Sequence, residues 1–190
     1  MQKRYRFIGI RPFEENEKDL FFERAESVDV IINSLKTNKT TLVHSTAGVG
    51  KTSILKAGVL PILHKQINSK VIYISFSNFI KNAGINPLNQ IYAELEDYLP
   101  NVSYLDKIIE PENSLWYKLK RIENAQDEPI YLILDQFENV FTHEQTFTYQ
   151  LRSEIFTAIY ESIPNNLKKT IEQKKKLLDI IFDDYINSKP

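Results

Sequence analysis

The chain has 190 residues, of which 42% are hydrophobic, and a formal net charge of −1. Length and apolar content predict one domain with a sizeable core, or one domain and part of another. The near-neutral charge does not favour a nucleic-acid-binding domain, because such domains are usually basic along one face. The sequence contains no cysteine, which excludes disulfides, thiolate catalysis and cysteine zinc sites. It also has no apolar run long enough for a signal peptide or a membrane span, so we expect a cytoplasmic protein without a membrane partner.

The first third of the chain predicts two helices separated by a short strand. Residues 5–13 (YRFIGIRPF) are typical of an extended segment, and residues 24–38 predict an amphipathic helix. Residues 40–45 (TTLVHS) are rich in β-branched side chains and predict a strand, which AGVG interrupts before a second helix opens at Lys51. Pro61 is expected to kink or end this helix. The apolar faces of the two helices carry Val28, Ile31, Ile32 and Leu35, and Ile54, Leu55 and Val59.

The remainder of the chain predicts further alternation of strands and helices. Residues 70–76 (KVIYISF) and 129–137 (PIYLILDQF) are nearly continuous apolar runs, as in strands covered on both faces. Helices are predicted over 86–100, around 114–122, and twice after the last strand. The apolar faces of the last two helices carry Leu151, Ile155, Ile159 and Ile163, and Leu167, Ile171, Leu178, Ile181 and Tyr185. This alternation predicts an α/β fold with a parallel sheet and right-handed crossovers.

Residues 45–52 (STAGVGKT) nearly match the phosphate-binding pattern G-x-x-x-x-G-K-[ST]. A loop that wraps its N–H groups around phosphates needs residues that tolerate positive φ, which Gly48 and Gly50 supply. The following helix directs its partial positive end at the phosphates. Lys51 is expected to reach the β- and γ-phosphates, and the Thr52 hydroxyl to coordinate Mg²⁺. The expected nucleotide-binding residues of this stretch are Thr46, Ala47, Gly48, Val49, Gly50, Lys51, Thr52 and Ser53.

Ser45 departs from this pattern, because the loop normally begins with glycine. A serine adds a Cβ and a hydroxyl but removes none of the groups that hold phosphate. Whether the loop keeps its shape therefore depends on φ at residue 45. The alternative for the whole stretch is a glycine-containing turn between a strand and a helix that binds no ligand.

The third apolar strand ends in Asp135, which is the Walker B arrangement. Ligands of open α/β sheets bind at the carboxyl ends of the strands, so Asp135 is expected to hold Mg²⁺. Glu138 is the next carboxylate and is the candidate to orient or deprotonate an attacking water, with Gln136 as a competing candidate. The catalytic residues expected from the sequence are thus Lys51, Asp135 and Glu138. An Asp that caps the turn after a strand is the alternative at position 135.

Three separated stretches together resemble one family. GIRPFEENEKDLFFERAE (9–26), GVGKTSILKAGVLPIL (48–63) and YLILDQFENVF (131–141) are similar, in this order, to the motifs of the novel STAND NTPases. These are P-loop signal-transduction ATPases with numerous domains. Two positions differ from the family pattern, which usually has glycine at the positions of Glu23 and Ser45.

The resemblance implies a P-loop NTPase of the ASCE/STAND type with a three-layer α/β/α fold. It implies an N-terminal extended segment over 1–24 and the N-terminal part of the NTPase domain over 25–190. The sensor strand and the helical lid of the family have no counterpart in this sequence, which implies a sheet that is incomplete at the C-terminus. The resemblance also places Arg24 and the segment from Ile10 to Phe13 near the adenine.

The function expected on this basis is the binding of Mg·ATP by the ATP-binding module of a signalling NTPase. In the family, hydrolysis switches a sensor, and prokaryotic members are often associated with antiviral defence. The implied partners are nucleotide and either a second copy or C-terminal sensor and effector regions. The chain alone is expected to be a weak or inactive ATPase. The rival is a catalytically inactive interaction domain of the same fold. A GTPase is disfavoured because no N-K-x-D motif follows Asp135, and nucleic acid is an unfavoured partner.

Overall fold

The computed structural model describes residues 9, 11–65, 69–77, 86–125, 129–142, 145–160 and 163–175. The chain forms two compact units, Met1–Val71 and Ile72–Pro190. The helices are α1 (Ala25–Thr37), α2 (Lys51–Ser53), α3 (Leu60–Lys65), α4 (Pro87–Glu96), α5 (Leu115–Asn124), α6 (Gln145–Tyr160) and α7 (Asn165–Lys175). The strands are β1 (Lys70–Ser75) and β2 (Ile130–Asp135). Short 3-10 helices cover Glu15–Leu20, Tyr104–Lys107 and Phe137–Thr142, and a π-helix covers Ile54–Val59.

The first unit is built on the packing of α1 against the π-helical segment. Helix α1 buries Val28, Ile31 and Ile32 on the face predicted from its apolar spacing. The segment over 1–24 is not extended throughout, since Glu15–Leu20 forms a 3-10 helix that packs on the same π-helical segment. Most of the predicted extended stretch 5–13 lies outside the described residues.

The strand predicted over 40–45 does not form. A strand exists only as part of a hydrogen-bonded ladder, and the described residues pair only β1 with β2. Leu42 is 86% exposed, so this segment is not covered on both faces as a central strand of a parallel sheet is. Its Thr41 hydroxyl is instead 2.9 Å from the Ser34 hydroxyl of α1. The β-branched composition was therefore misleading here, because pairing depends on a partner and not on local propensity.

The helix that opens at Lys51 runs without a break to Lys65, so it does not end at Pro61. It changes its winding from α to π over Ile54–Val59, where the N–H of Leu60 donates to the carbonyl of Leu55. A prolyl ring clashes with the carbonyl four residues earlier in an α-helix, and the wider π winding just before Pro61 relieves that clash. Pro61 thus marks a change in winding and not a terminus.

The second unit contains a small parallel sheet of two strands. Ile72 and Ile74 of β1 are almost fully buried, and Leu132 and Leu134 of β2 pack against the same cluster. The two strands therefore turn alternate side chains toward one core, as period-two geometry requires. That core also contains Phe76, Leu88, Ile91, Tyr92, Leu95, Leu115, Ile122, Val140 and Leu151, which come from the ends of the strands and from the helices and turns around them.

The helices of the second unit confirm the predicted elements. Helix α4 begins at Pro87, where the Asn86 side chain accepts the N–H of Leu88 at 2.9 Å. Helices α5, α6 and α7 cover the regions where helices were expected, and Leu167 and Ile171 enter a second apolar cluster with Trp116. The predicted apolar residues Leu178, Ile181 and Tyr185 lie outside the described residues. Helices and strands thus form a mixed α/β arrangement that is compatible with a P-loop-like fold.

Candidate functional site

The loop at residues 46–50 has the backbone conformation that its glycines predict. Gly48 has φ of 80° and Gly50 has φ of 91°, and both values lie in the region that L side chains rarely adopt. Among the described residues, a Cβ on Gly48 would meet no heavy atom within 4 Å, and one on Gly50 would meet the Ser53 Cβ at 3.9 Å. The glycines are therefore required by φ and not by crowding, and the space beside the loop is open.

Lys51 folds over the loop that precedes it. Its Nζ donates to the carbonyl of Ser45 at 3.1 Å and to the carbonyl of Thr46 at 3.4 Å. The ammonium group is thereby held against the start of the loop by two uncharged acceptors. A phosphate group is a stronger partner for an ammonium than a carbonyl, so this position is suited to anion binding.

Thr52 and Ser53, which follow Lys51, differ in their burial and contacts. Thr52 is half-buried at the start of the helix, next to the loop. Ser53 is buried, and its hydroxyl accepts the backbone N–H of Phe13 at 3.2 Å. The Ser53 side chain therefore holds the N-terminal segment against the helix in this structure. Its predicted role in nucleotide binding stays a prediction.

Ser45 does not need the conformational freedom of glycine. The only described non-glycine residues with positive φ are Glu23 and Gln136, so serine adopts the backbone of position 45 without left-handed strain. Its hydroxyl oxygen is buried and has no hydrogen-bond partner. The departure from the family pattern thus leaves one unsatisfied polar atom but no backbone distortion.

Glu23, the other residue that differs from the family pattern, does have a strained backbone. Its φ is 62°, in the left-handed region where a Cβ crowds the following carbonyl. The glycine usual at this position in the family has a physical explanation here, since only glycine adopts this φ without cost. The next residue, Arg24, extends a guanidinium N–H toward the carbonyl of Val49 at 3.5 Å. The structure therefore brings Arg24 to the loop. Its place near the adenine, which the resemblance implied, stays a prediction, and Ile10 lies outside the described residues.

Gly58 is a residue whose role the sequence did not indicate. A Cβ at this position would lie 2.4 Å from the Cγ2 of Val28 and 3.5 Å from the Cε1 of Phe21. The glycine lets α1 approach the helix that carries Lys51 more closely than any side chain would allow. An isolated glycine inside a helical pattern often has a packing reason, so the glycine itself was the feature of the sequence that could have indicated this contact.

In the second unit, Asp135 ends β2 and is only 3% exposed. Its Oδ1 accepts the backbone N–H of Gln136 at 2.9 Å, and its Oδ2 accepts the hydroxyl of Tyr73 at 2.5 Å. Gln136 has φ of 54°, so the chain turns sharply and with strain directly after the carboxylate. The strand end thus presents a buried carboxylate whose two oxygens each have a donor.

Glu138 and Asn139 follow in the 3-10 helix Phe137–Thr142. Glu138 is exposed, whereas the Asn139 amide donates to the carbonyl of Phe76 at 2.9 Å and ties the turn to the residue after β1. The structure therefore places Asp135 and Glu138 in the same short stretch, with Glu138 at the surface. Among the described residues, no group of three or more His, Asp or Glu side chains is arranged to hold a metal ion.

The chain matches the family model of Novel STAND NTPase 1 over residues 7–178. The match covers most of the chain and includes the loop, the N-terminal segment with Arg24 and the strand end with Asp135. The chain therefore belongs to the nSTAND1 family of STAND NTPases. No curated protein and no solved structure matches it. No helix in the described ranges is long and apolar enough to cross a membrane.

Proposed function

We propose that this chain is the ATP-binding module of a STAND-type signalling NTPase. The observation that carries the proposal is the loop Thr46–Gly50, whose glycines have positive φ and beside which the Lys51 ammonium group is held by the carbonyls of Ser45 and Thr46. A glycine-rich turn that opens a helix, with a lysine held beside it, is suited to the phosphates of a nucleotide. The family match supports a nucleotide as the ligand.

In this proposal each residue keeps the role that its position suggests. Lys51 pairs with the β- and γ-phosphates, and the backbone of residues 46–53 surrounds them. The Thr52 hydroxyl and the Asp135 carboxylate hold Mg²⁺, whose charge offsets that of the phosphates. Arg24, which already reaches the loop at Val49, lies on the nucleotide side of the N-terminal segment. We further propose a three-layer P-loop fold, and hydrolysis that switches a signalling response such as antiviral defence.

The site is tested by calorimetric titration of the wild type and of two lysine variants with Mg·ATP. Lys51→Ala removes the ammonium group beside the loop and is expected to weaken binding about 100-fold or more, as for loss of a charged partner. Lys56→Ala is the matched control, because it removes the same charge from the same helix at a surface pair with Glu14. We expect the control to bind like the wild type. Equal affinity in all three proteins would contradict the proposal.

For hydrolysis we propose Glu138 as the residue that orients or deprotonates water, since it is exposed three residues after Asp135. Phosphoryl transfer also needs charges around the γ-phosphate, and an added arginine raises the rate by roughly 10³–10⁵ in related NTPases. We therefore expect slow or absent turnover by this chain alone. Phosphate release by monomeric protein at about 1 s⁻¹ or faster, lost in Glu138→Gln, would overturn this expectation.

The second candidate function is a catalytically inactive interaction domain. It is favoured by the unpaired segment 40–45, where Leu42 is exposed, and by β2, which pairs on one side only among the described residues. Open strand edges favour association with another strand. The two functions are separated by the titration above together with sedimentation. Self-association without any ATP binding supports the interaction domain.

A further inference from the structure

The hydroxyl of Tyr73 lies 2.5 Å from the Oδ2 of Asp135 and joins the middle of β1 to the end of β2. We infer that Tyr73 is a positioning residue, which fixes the Asp135 carboxylate in the orientation that holds Mg²⁺. The inference rests on the proposed function, because it takes Asp135 as a residue that holds the metal of Mg·ATP. Neither the family motifs nor the sequence pattern singled out this tyrosine.

Two donors fix the carboxylate from different directions. The Gln136 N–H bonds Oδ1 at 2.9 Å, and the Tyr73 hydroxyl bonds Oδ2. With both oxygens bound, rotation of the carboxylate about its Cβ–Cγ bond breaks at least one hydrogen bond. A carboxylate oxygen accepts more than one hydrogen bond, so each keeps capacity for a water bound to the metal. Because Asp135 is only 3% exposed, bulk water is a poor replacement for either donor.

The alternation of β1 explains why Tyr73 reaches this carboxylate. Ile72 and Ile74 are buried in the core on one face of the sheet, which leaves Tyr73 on the opposite face. Asp135 shares that face, since Leu132 and Leu134 of β2 pack into the core. Tyr131 is placed on the same face by the same alternation. No hydrogen bond is found for its hydroxyl in the part of the chain that the structure describes, which makes it the matched control.

The test compares ATP binding with Mg²⁺ and with EDTA in the wild type, Tyr73→Phe and Tyr131→Phe. The quantity of interest is the magnesium gain, defined as the ratio of the two ATP affinities. We expect Tyr73→Phe to reduce this gain about tenfold, the loss typical of one hydrogen bond to a charged group. Its affinity for ATP in EDTA is expected to stay within about twofold of the wild type, because the phosphate loop is untouched. Tyr131→Phe is expected to behave like the wild type in both conditions.

Two further measurements separate positioning from a general loss of structure. In an Asp135→Asn background, adding Tyr73→Phe is expected to leave the magnesium gain unchanged, since the residue that Tyr73 acts through is already altered. In the wild type, a protected Tyr73 hydroxyl proton is expected in the NMR spectrum and should persist when Mg·ATP binds. This second measurement needs no variant and therefore stands even if Tyr73→Phe folds poorly.

The outcomes distinguish this inference from the proposed function. A magnesium gain in Tyr73→Phe that equals or exceeds that of the wild type overturns the inference and leaves the proposed function intact. Loss of the hydroxyl proton on binding Mg·ATP also overturns it, because the tyrosine would then compete with the metal. A wild-type protein that binds no ATP in either condition overturns both.

Discussion

The phosphate loop and the end of β2 prepare their polar groups by different means. In the loop, main-chain conformation at Gly48 and Gly50 sets the shape, and the Lys51 Nζ donates to the carbonyls of Ser45 and Thr46. At the end of β2, the side chain of Asp135 is buried and both of its oxygens are held by donors. The loop is therefore defined by local sequence, whereas the carboxylate also depends on a contact between strands, from Tyr73.

Both regions lie next to a strained backbone position. Among the described residues, one non-glycine residue with positive φ lies near each region. Glu23 precedes Arg24, which contacts the loop, and Gln136 follows Asp135. Strained residues often cluster at functional sites, and both of these lie next to a candidate site residue. Substitutions in the first region should thus act through the backbone and helix packing, and those in the second through side-chain hydrogen bonds.

The largest expected effect of a change outside the loop is that of Gly58→Ala, which tests the packing that supports the Lys51 helix. The added methyl would lie 2.4 Å from the Val28 Cγ2, so α1 and the helix must move apart. Overpacking costs about 1–3 kcal/mol, and the better helix propensity of alanine returns at most ~1 kcal/mol. We therefore expect the free energy of unfolding to fall by about 1–2 kcal/mol in urea titration.

The double variant Gly58→Ala/Val28→Ala provides the control for this interpretation. Removing the Val28 methyl groups relieves the clash, so the double variant should be more stable than the sum of the two single effects predicts. A stabilising Gly58→Ala would contradict the close approach of the two helices.

Glu23→Gly has the next largest expected effect and tests whether the backbone at residue 23 is strained. Glycine removes the left-handed strain of about 1–2 kcal/mol but increases the entropy of the unfolded chain, which offsets part of the gain. We expect a net stabilisation of roughly 0.5–1 kcal/mol from the same urea titration.

Glu23→Ala keeps the Cβ and is expected to leave stability unchanged. Gln136→Gly is the corresponding change in the second region and should stabilise by a similar amount if the comparison holds. A Glu23→Gly variant that is less stable than Glu23→Ala would mean that the backbone at residue 23 is not strained, because glycine would then only add entropy to the unfolded chain.

Ser45→Gly is expected to have the smallest effect. Ser45 has no positive φ to relieve, and its buried hydroxyl has no hydrogen bond to lose. The affinity for Mg·ATP should therefore change by less than tenfold, or about 1.4 kcal/mol. Calorimetry of the two proteins side by side checks this. Binding by Ser45→Gly where the wild type has none would instead identify a decayed loop.

Parts of this molecule were predictable because they depend on residues close in sequence. Gly48 and Gly50 predicted positive φ, and the helix predicted over 86–100 begins at Pro87, since both effects are local. The strand expected over 40–45 failed because a ladder partner is not encoded in the segment itself. The hydrogen bond between Tyr73 and Asp135 depends on the pairing register of β1 and β2, which a single sequence does not give.

Other features became visible only through tertiary packing. The need for glycine at position 58 follows from the approach of Val28, thirty positions earlier in the chain. The strain at Glu23 could be anticipated only from the glycine usual in the family, and the structure supplies its cause in φ. Helix propensity alone would have ended the Lys51 helix near Pro61, whereas a change of winding carries it to Lys65.

Nucleotide binding at the loop is tested most directly by amide hydrogen exchange with and without Mg·ATP. If the loop binds nucleotide, the amides of residues 46–53 should exchange more slowly with Mg·ATP, because their backbone N–H groups surround the phosphates. Lys51→Ala should show no such slowing at the same nucleotide concentration. A folded wild-type protein whose residues 46–53 exchange equally fast with and without saturating Mg·ATP would contradict it.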